Sequence, residues 1–95
     1  MAIELTFWGV RGSFPVSGKA YEHGGGNTCC VSVVINQQHL IVFDAGSGLY
    51  ELNNAMPSLP TKTVHVFLSH LHLDHIMGLP FFEPLWNPDY TIVLY

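Results

Sequence analysis

The chain is short of charge. Only 11% of its 95 residues are Asp, Glu, Lys or Arg, against about 25% in an ordinary soluble domain. Positive charge is scarcest: Arg11, Lys19 and Lys62 are the fixed cations, and the formal net charge is -4. Tight nucleic-acid binding draws on a basic stripe, and no such stripe exists in this segment. An anionic substrate would have to meet its positive field in metal ions. So few charges also predict that part of the surface is hidden, either by a partner chain, with a homodimer as one form, or by further parts of the same domain. A surface kept soluble by Asn, Ser, Thr and His is the plainer alternative.

Cysteine is nearly absent too. The two present, Cys29 and Cys30, are neighbours, and on a strand neighbours point to opposite faces. That makes them poor disulfide partners and predicts buried, small apolar residues of a reduced, cytosolic protein. No apolar run approaches the roughly 18 residues of a membrane span. The opening residues MAIELTFWGV lack the basic start and long apolar stretch of a secretory signal. A cytoplasmic protein with no membrane partner is the expectation.

What is present is strand pattern and turn chemistry. Ile3 to Trp8 alternates and predicts a strand. A glycine-rich loop follows from Gly9 to Gly26. Thr28 to Ile35 and His39 to Phe43, joined by Asn36-Gln37-Gln38, predict a hairpin. Asp44 to Gly48 predicts a turn, and a helix is expected from Ser47 or Gly48 to about Ala55, with Leu49 and Leu52 on one face. Pro57 and Pro60 mark a loop. Val64 to Leu68 predicts a strand, with a short helical stretch after it before Gly78. Phe81 to Pro88 predicts an aromatic loop, and Thr91 to Tyr95 a last strand. The chain stops inside that apolar strand, which adds to the expectation that it forms the N-terminal part of a single domain, residues 1–95.

The chemistry concentrates in Ser69-His70-Leu71-His72-Leu73-Asp74-His75. His70 and His72 are two apart, so in an extended segment both rings project to one side and can converge on one ion. Asp74 and His75 follow and can address a second. Leu71 and Leu73 are expected to point the other way, into the core. Imidazole and carboxylate donors in this mixture suit Zn2+, and also Mn2+ or Fe. Two adjacent ions can hold a hydroxide nucleophile between them and clamp the oxygens of a phosphoryl or acyl group. A histidine-rich surface turn is the competing reading; an aspartate in register after an apolar strand argues against it.

His70-Leu71-His72-Leu73-Asp74-His75 resembles the H-x-H-x-D-H signature of the metallo-β-lactamase superfamily. The segments Phe7 to Ser13, Gly25 to Thr28, Phe43 to Gly48 and Gly78 to Phe82 resemble the branch of ribonuclease Z and the cyclic-phosphate phosphodiesterases. The resemblance implies an α/β fold, the αβ/βα sandwich, of which this chain would supply a mixed β-sheet and the metal loop. It implies that His70 and His72 hold one ion, that Asp74 and His75 hold the other, and that Asp74 also serves the nucleophile catalytically. It further implies a small-molecule or nucleotide phosphodiester substrate attacked by a bridging hydroxide. A thioesterase or lactonase on the same core, and a non-catalytic metal-binding fragment, are the alternatives. The family pattern also needs two further histidines and a bridging aspartate downstream. After His75 the acidic residues are Glu83 and Asp89, and there is no histidine. The segment alone is therefore expected to bind metal weakly and to turn over poorly.

Supporting roles can be assigned around this cluster. Asp44, at the end of an apolar run, needs partners. The resemblance implies that it braces the histidine loop, while a turn-forming aspartate would accept from the amides of Gly46 and Ser47. Arg11 could meet a substrate phosphate or pair with a carboxylate of its own domain. Asn27, after the triple glycine, could border the metal cleft or simply feed the next strand. His23, His39 and His65 read as surface or internally satisfied histidines. Phe81, Phe82, Trp86 and Tyr90 read first as packing residues and second as a cleft wall.

Overall fold

The computed structural model describes residues 2–95, with Met1 outside them. Five short strands form where β-branched and aromatic residues alternate with others: β1 (Ile3–Gly9), β2 (Cys30–Ile35), β3 (His39–Phe43), β4 (Thr63–Phe67) and β5 (Thr91–Leu94). They make one sheet in the order β1-β2-β3-β4-β5. The first three run antiparallel, and β4 and β5 join parallel, Val42 pairing Val66 and Val64 pairing Ile92. The sheet is thus mixed, as the family resemblance implies. Asn36 and Gln37 turn the β2–β3 hairpin with both backbones left-handed (φ 52° and 59°), the geometry that matches the twist of the flanking strands.

The parallel pairs require crossovers, and these cover one face of the sheet. Leu40, Val42, Val64, Val66 and Cys30 point to that face. They pack with Leu49 and Leu52 of α1 (Leu49–Leu52), and with Met56 and Phe82 from the crossovers. The helix is one turn long rather than reaching Ala55. Asn53 and Asn54 are weak helix formers, and Pro57 biases the residue before it away from helix; the chain continues in turns and a 3-10 segment, Met56–Ser58. The aromatic segment is built of 3-10 turns and splits its residues. Phe82 is fully buried, while Phe81 and Trp86 stay exposed.

The opposite face carries Ile3, Leu5 and Phe7 of β1, Phe43 of β3 and Phe67 of β4, all exposed. Phe43, Phe67 and Tyr95 stack in a row across it, and the His65 Nδ1 sits 3.0 Å from the Tyr95 hydroxyl. No helix among the described residues is long and apolar enough to cross a membrane.

Candidate metal centre

The site gathers at the carboxyl ends of β3 and β4, where two loops leave adjacent parallel strands. The first is the turn Asp44 to Gly48. Asp44 takes a left-handed backbone (φ 64°), a conformation aspartate tolerates better than most residues. Its amide donates to the Phe67 carbonyl at 2.8 Å, which pins the turn to the end of β4. The second loop, Ser69 to Gly78, is stitched to the first by Ala45 N to the His75 carbonyl (2.8 Å) and Gly78 N to the Ala45 carbonyl (2.9 Å). These approaches leave no room for side chains. A Cβ on Gly46 would stand 2.4 Å from Thr28 Oγ1 and 2.5 Å from the Asp74 carbonyl, and one on Gly78 would stand 2.1 Å from the Gly46 carbonyl.

On this frame His70, His72 and His75 bring their rings together. The His70 ring lies 4.5 Å from that of His72 and 4.2 Å from that of His75, centroid to centroid. The Asp74 Oδ2 lies 3.3 Å from the His75 Nε2. The amide of Ser13, 61 positions away in sequence, donates to the same oxygen at 3.0 Å. That bond is the main cause holding the Asp74 carboxyl below the usual carboxylate range, with His75 and His72 adding to it. Asp74 therefore stays ionised beside the imidazoles.

Asp44 is buried and sits behind this cluster. It accepts from the Ser69 amide (2.8 Å) and the Ser69 hydroxyl (2.9 Å), and its Oδ2 lies 3.3 Å from the His75 Nδ1. The amides of Gly46 and Ser47 go instead to the Cys29 carbonyl and Thr28 Oγ1, so the simple turn-forming role is excluded. A proton count then fixes the His70 tautomer. A carboxylate only accepts, so the single Ser69 hydroxyl proton is assigned to Asp44, and the His70 Nδ1 is 2.9 Å from the Ser69 hydroxyl oxygen. The ring must donate from Nδ1, which leaves Nε2 with a free lone pair. Carboxylate, hydroxyl and imidazole thus form a relay that presents His70 as a ligand nitrogen. The donor chemistry of His70, His72, Asp74 and His75 suits a divalent cation, and the three imidazole rings lie close together.

Several expectations are corrected. Leu71 and Leu73 do not anchor the loop in the core; they are 74% and 70% exposed. Past β4 the chain leaves the sheet, so strand parity no longer decides which side chains face inward. Arg11 forms no ion pair among the described residues. Its Nε donates to the Phe14 carbonyl at 2.9 Å, and its guanidinium lies 5.0 Å and 5.1 Å from the Phe14 and Tyr21 ring centres. The Asn27 Oδ1 accepts from the Ser47 hydroxyl at 3.0 Å, so its side chain is tied into the Asp44 turn. Cys30 is a core residue whose thiol pKa burial pushes up to about 12. Cys29 is not: it is half-buried, and its thiol pKa is raised by burial and then by the charges of Asp44 and Asp74. A donor trio whose ligand atoms all lie within 4.8 Å is Cys29, Asp44 and His75, which takes one member from the predicted four. Ser13, Cys29 and Ser69 are the site residues that sequence reasoning missed. Ser69 could have been found from its place before His70, whereas Ser13 carries no local signal.

A family model described as the metallo-beta-lactamase superfamily matches residues 24–93. Ribonuclease BN of Cronobacter sakazakii is 32% identical over 82 residues, covering 82% of this chain and 24% of that protein. Ribonuclease Z of Nanoarchaeum equitans is 41% identical over 52 residues, covering 54% of this chain and 16% of that protein. Ribonuclease BN of Citrobacter koseri is 33% identical over 85 residues, covering 82% and 24%. The chain spans about a quarter or less of the length of these relatives. No solved structure matches it.

Proposed function

The chain belongs to the metallo-beta-lactamase superfamily, and from that premise we propose that it forms part of a metal-dependent hydrolase that cleaves a phosphodiester. The observation that carries this reading is the convergence of three imidazoles and an ionised carboxylate on a rigid two-loop frame, with Asp44 buried behind them. His70 and His72 would hold one divalent ion, and Asp74 and His75 a second, with zinc or manganese suited to such donors. When bound, the ions would supply Lewis acidity and an activated water.

The chain's own residues do the rest. Asp44 and Ser69 hold His70 in the tautomer that leaves Nε2 free. The Ser13 amide holds the Asp74 Oδ2, so that Asp74 stays a carboxylate able to take a proton from the attacking water. The named activities of the ribonuclease Z and BN relatives favour a phosphorus centre over a carbonyl one. A cytoplasmic location and a homodimer complete the reading.

The full-length protein, loaded with zinc, should hydrolyse an aryl phosphodiester faster than an aryl thioester or a lactone. His72→Ala should lower kcat by about 100-fold or more, the scale of losing transition-state charge stabilisation. A preference for the thioester or lactone would replace the phosphodiester assignment and keep the hydrolase. No turnover of any of the three, in a protein shown to contain metal, would remove the hydrolase.

A further inference from the structure

His75 has two faces, and the one turned inward is unexplained. Its Nδ1 is buried and makes no hydrogen bond, although the Asp44 Oδ2 is 3.3 Å away. A hydrogen bond between such groups runs at about 2.7–3.2 Å with good alignment, and this contact has neither. A tetrahedral zinc with bonds of about 2.0–2.1 Å to nitrogen and oxygen sets neighbouring donors roughly 3.3–3.4 Å apart. The contact therefore has the length of an edge of a coordination tetrahedron. A thiol completes the set, since ligand atoms of Cys29, Asp44 and His75 all lie within 4.8 Å of one another.

We propose that Cys29, Asp44 and His75 form a second kind of metal site, a thiolate–carboxylate–imidazole trio on the inner side of the His75 ring. It shares His75 with the outer cluster of His70, His72 and Asp74 but uses the opposite ring nitrogen, Nδ1 facing Asp44 and Nε2 facing Asp74, and it takes a thiophilic divalent cation. Sulfur separates the two sites chemically. The outer cluster offers nitrogen and oxygen alone, whereas this one offers sulfur, which favours zinc, cadmium or cobalt over magnesium or manganese. On binding, the Cys29 Sγ loses its proton to solvent and forms the metal–sulfur bond, with no oxidation. Three protein ligands leave a fourth position for water. An ion here draws the Asp44 carboxylate toward Nδ1 and away from Ser69, and so loosens the relay that orients His70. Occupancy of the inner site opposes occupancy of the outer one.

The site does not rest on the hydrolase reading, because its donors and its test are independent of turnover. The metal-free, full-length protein is titrated with Co2+ while the sulfur-to-cobalt charge-transfer absorption is recorded. The band should appear in the parent, vanish in Cys29→Ser, and persist in the double variant His70→Asn/His72→Asn. A parent without the band would overturn the proposal. So would a band that survives Cys29→Ser, or one lost with His70 and His72. If Cys29→Ser does not fold, alkylation of Cys29 in the parent decides the matter, followed by peptide mass analysis. Bound Cd2+ should slow it about tenfold or more, since a ligated thiolate is no longer a free nucleophile, and an unchanged rate would overturn the site.

Discussion

Asp44 shows how much one side chain can organise. Its left-handed backbone lets the chain reverse after β3, its amide closes onto β4, and its carboxylate holds Ser69 and faces His75. Asparagine tolerates the same backbone but offers one oxygen in place of two and carries no charge. Asp44→Asn should therefore leave the fold intact and lower zinc affinity about 10- to 100-fold, as loss of a group that orients a metal ligand does. A metal titration by calorimetry checks this, with circular dichroism unchanged. The sequence showed this residue because a carboxylate after four apolar residues demands partners. It could not show Ser13, whose amide reaches Asp74 across 61 positions; only the closed fold makes them neighbours. Cys29 was misread for a related reason. Strand parity correctly separated it from Cys30, but parity does not say which face is covered.

At the scale of elements, the site is two loops locked by backbone hydrogen bonds at the ends of neighbouring parallel strands. Their close approach depends on glycine. Gly46→Ala places a methyl group among Thr28, Asp74 and Cys29, where the nearest atoms include backbone that cannot swing aside. Overpacking of this kind costs typically about 1–3 kcal/mol. A fall in thermal midpoint of several degrees should accompany it, with weakened metal binding because the same shift separates the two loops. An unchanged midpoint in a thermal scan would show the junction to be softer than described. The strands were legible because alternation is a strong local signal. The helix was legible only in its apolar pair, Leu49 and Leu52, and its length depended on Asn53, Asn54 and Pro57. Leu71 and Leu73 were misplaced because a strand's periodicity was extended past the strand's end.

Through residues 2–95 the chain is a sheet with one dressed face. Crossovers bury Leu40, Val42, Val64, Val66 and Phe82 on one side, while Ile3, Leu5, Phe7, Phe43 and Phe67 remain exposed on the other. Exposed apolar faces often serve as interaction surfaces, and we propose that this one packs against a second copy of the chain. The 95-residue chain by itself should sediment as a dimer or larger species. Leu5→Lys together with Phe67→Lys should shift it toward monomer, and a parent that is monomeric at micromolar concentration would contradict the interface.

Above all else stands the proposal that His70, His72, Asp74 and His75 form the metal centre of a hydrolase. Its most direct test is phosphodiester turnover by the full-length protein before chelation, after it, and after return of zinc or manganese. The prediction is loss of turnover with the metal, recovery when metal returns, and no recovery in His72→Ala. Turnover that persists through complete removal of metal would contradict the claim.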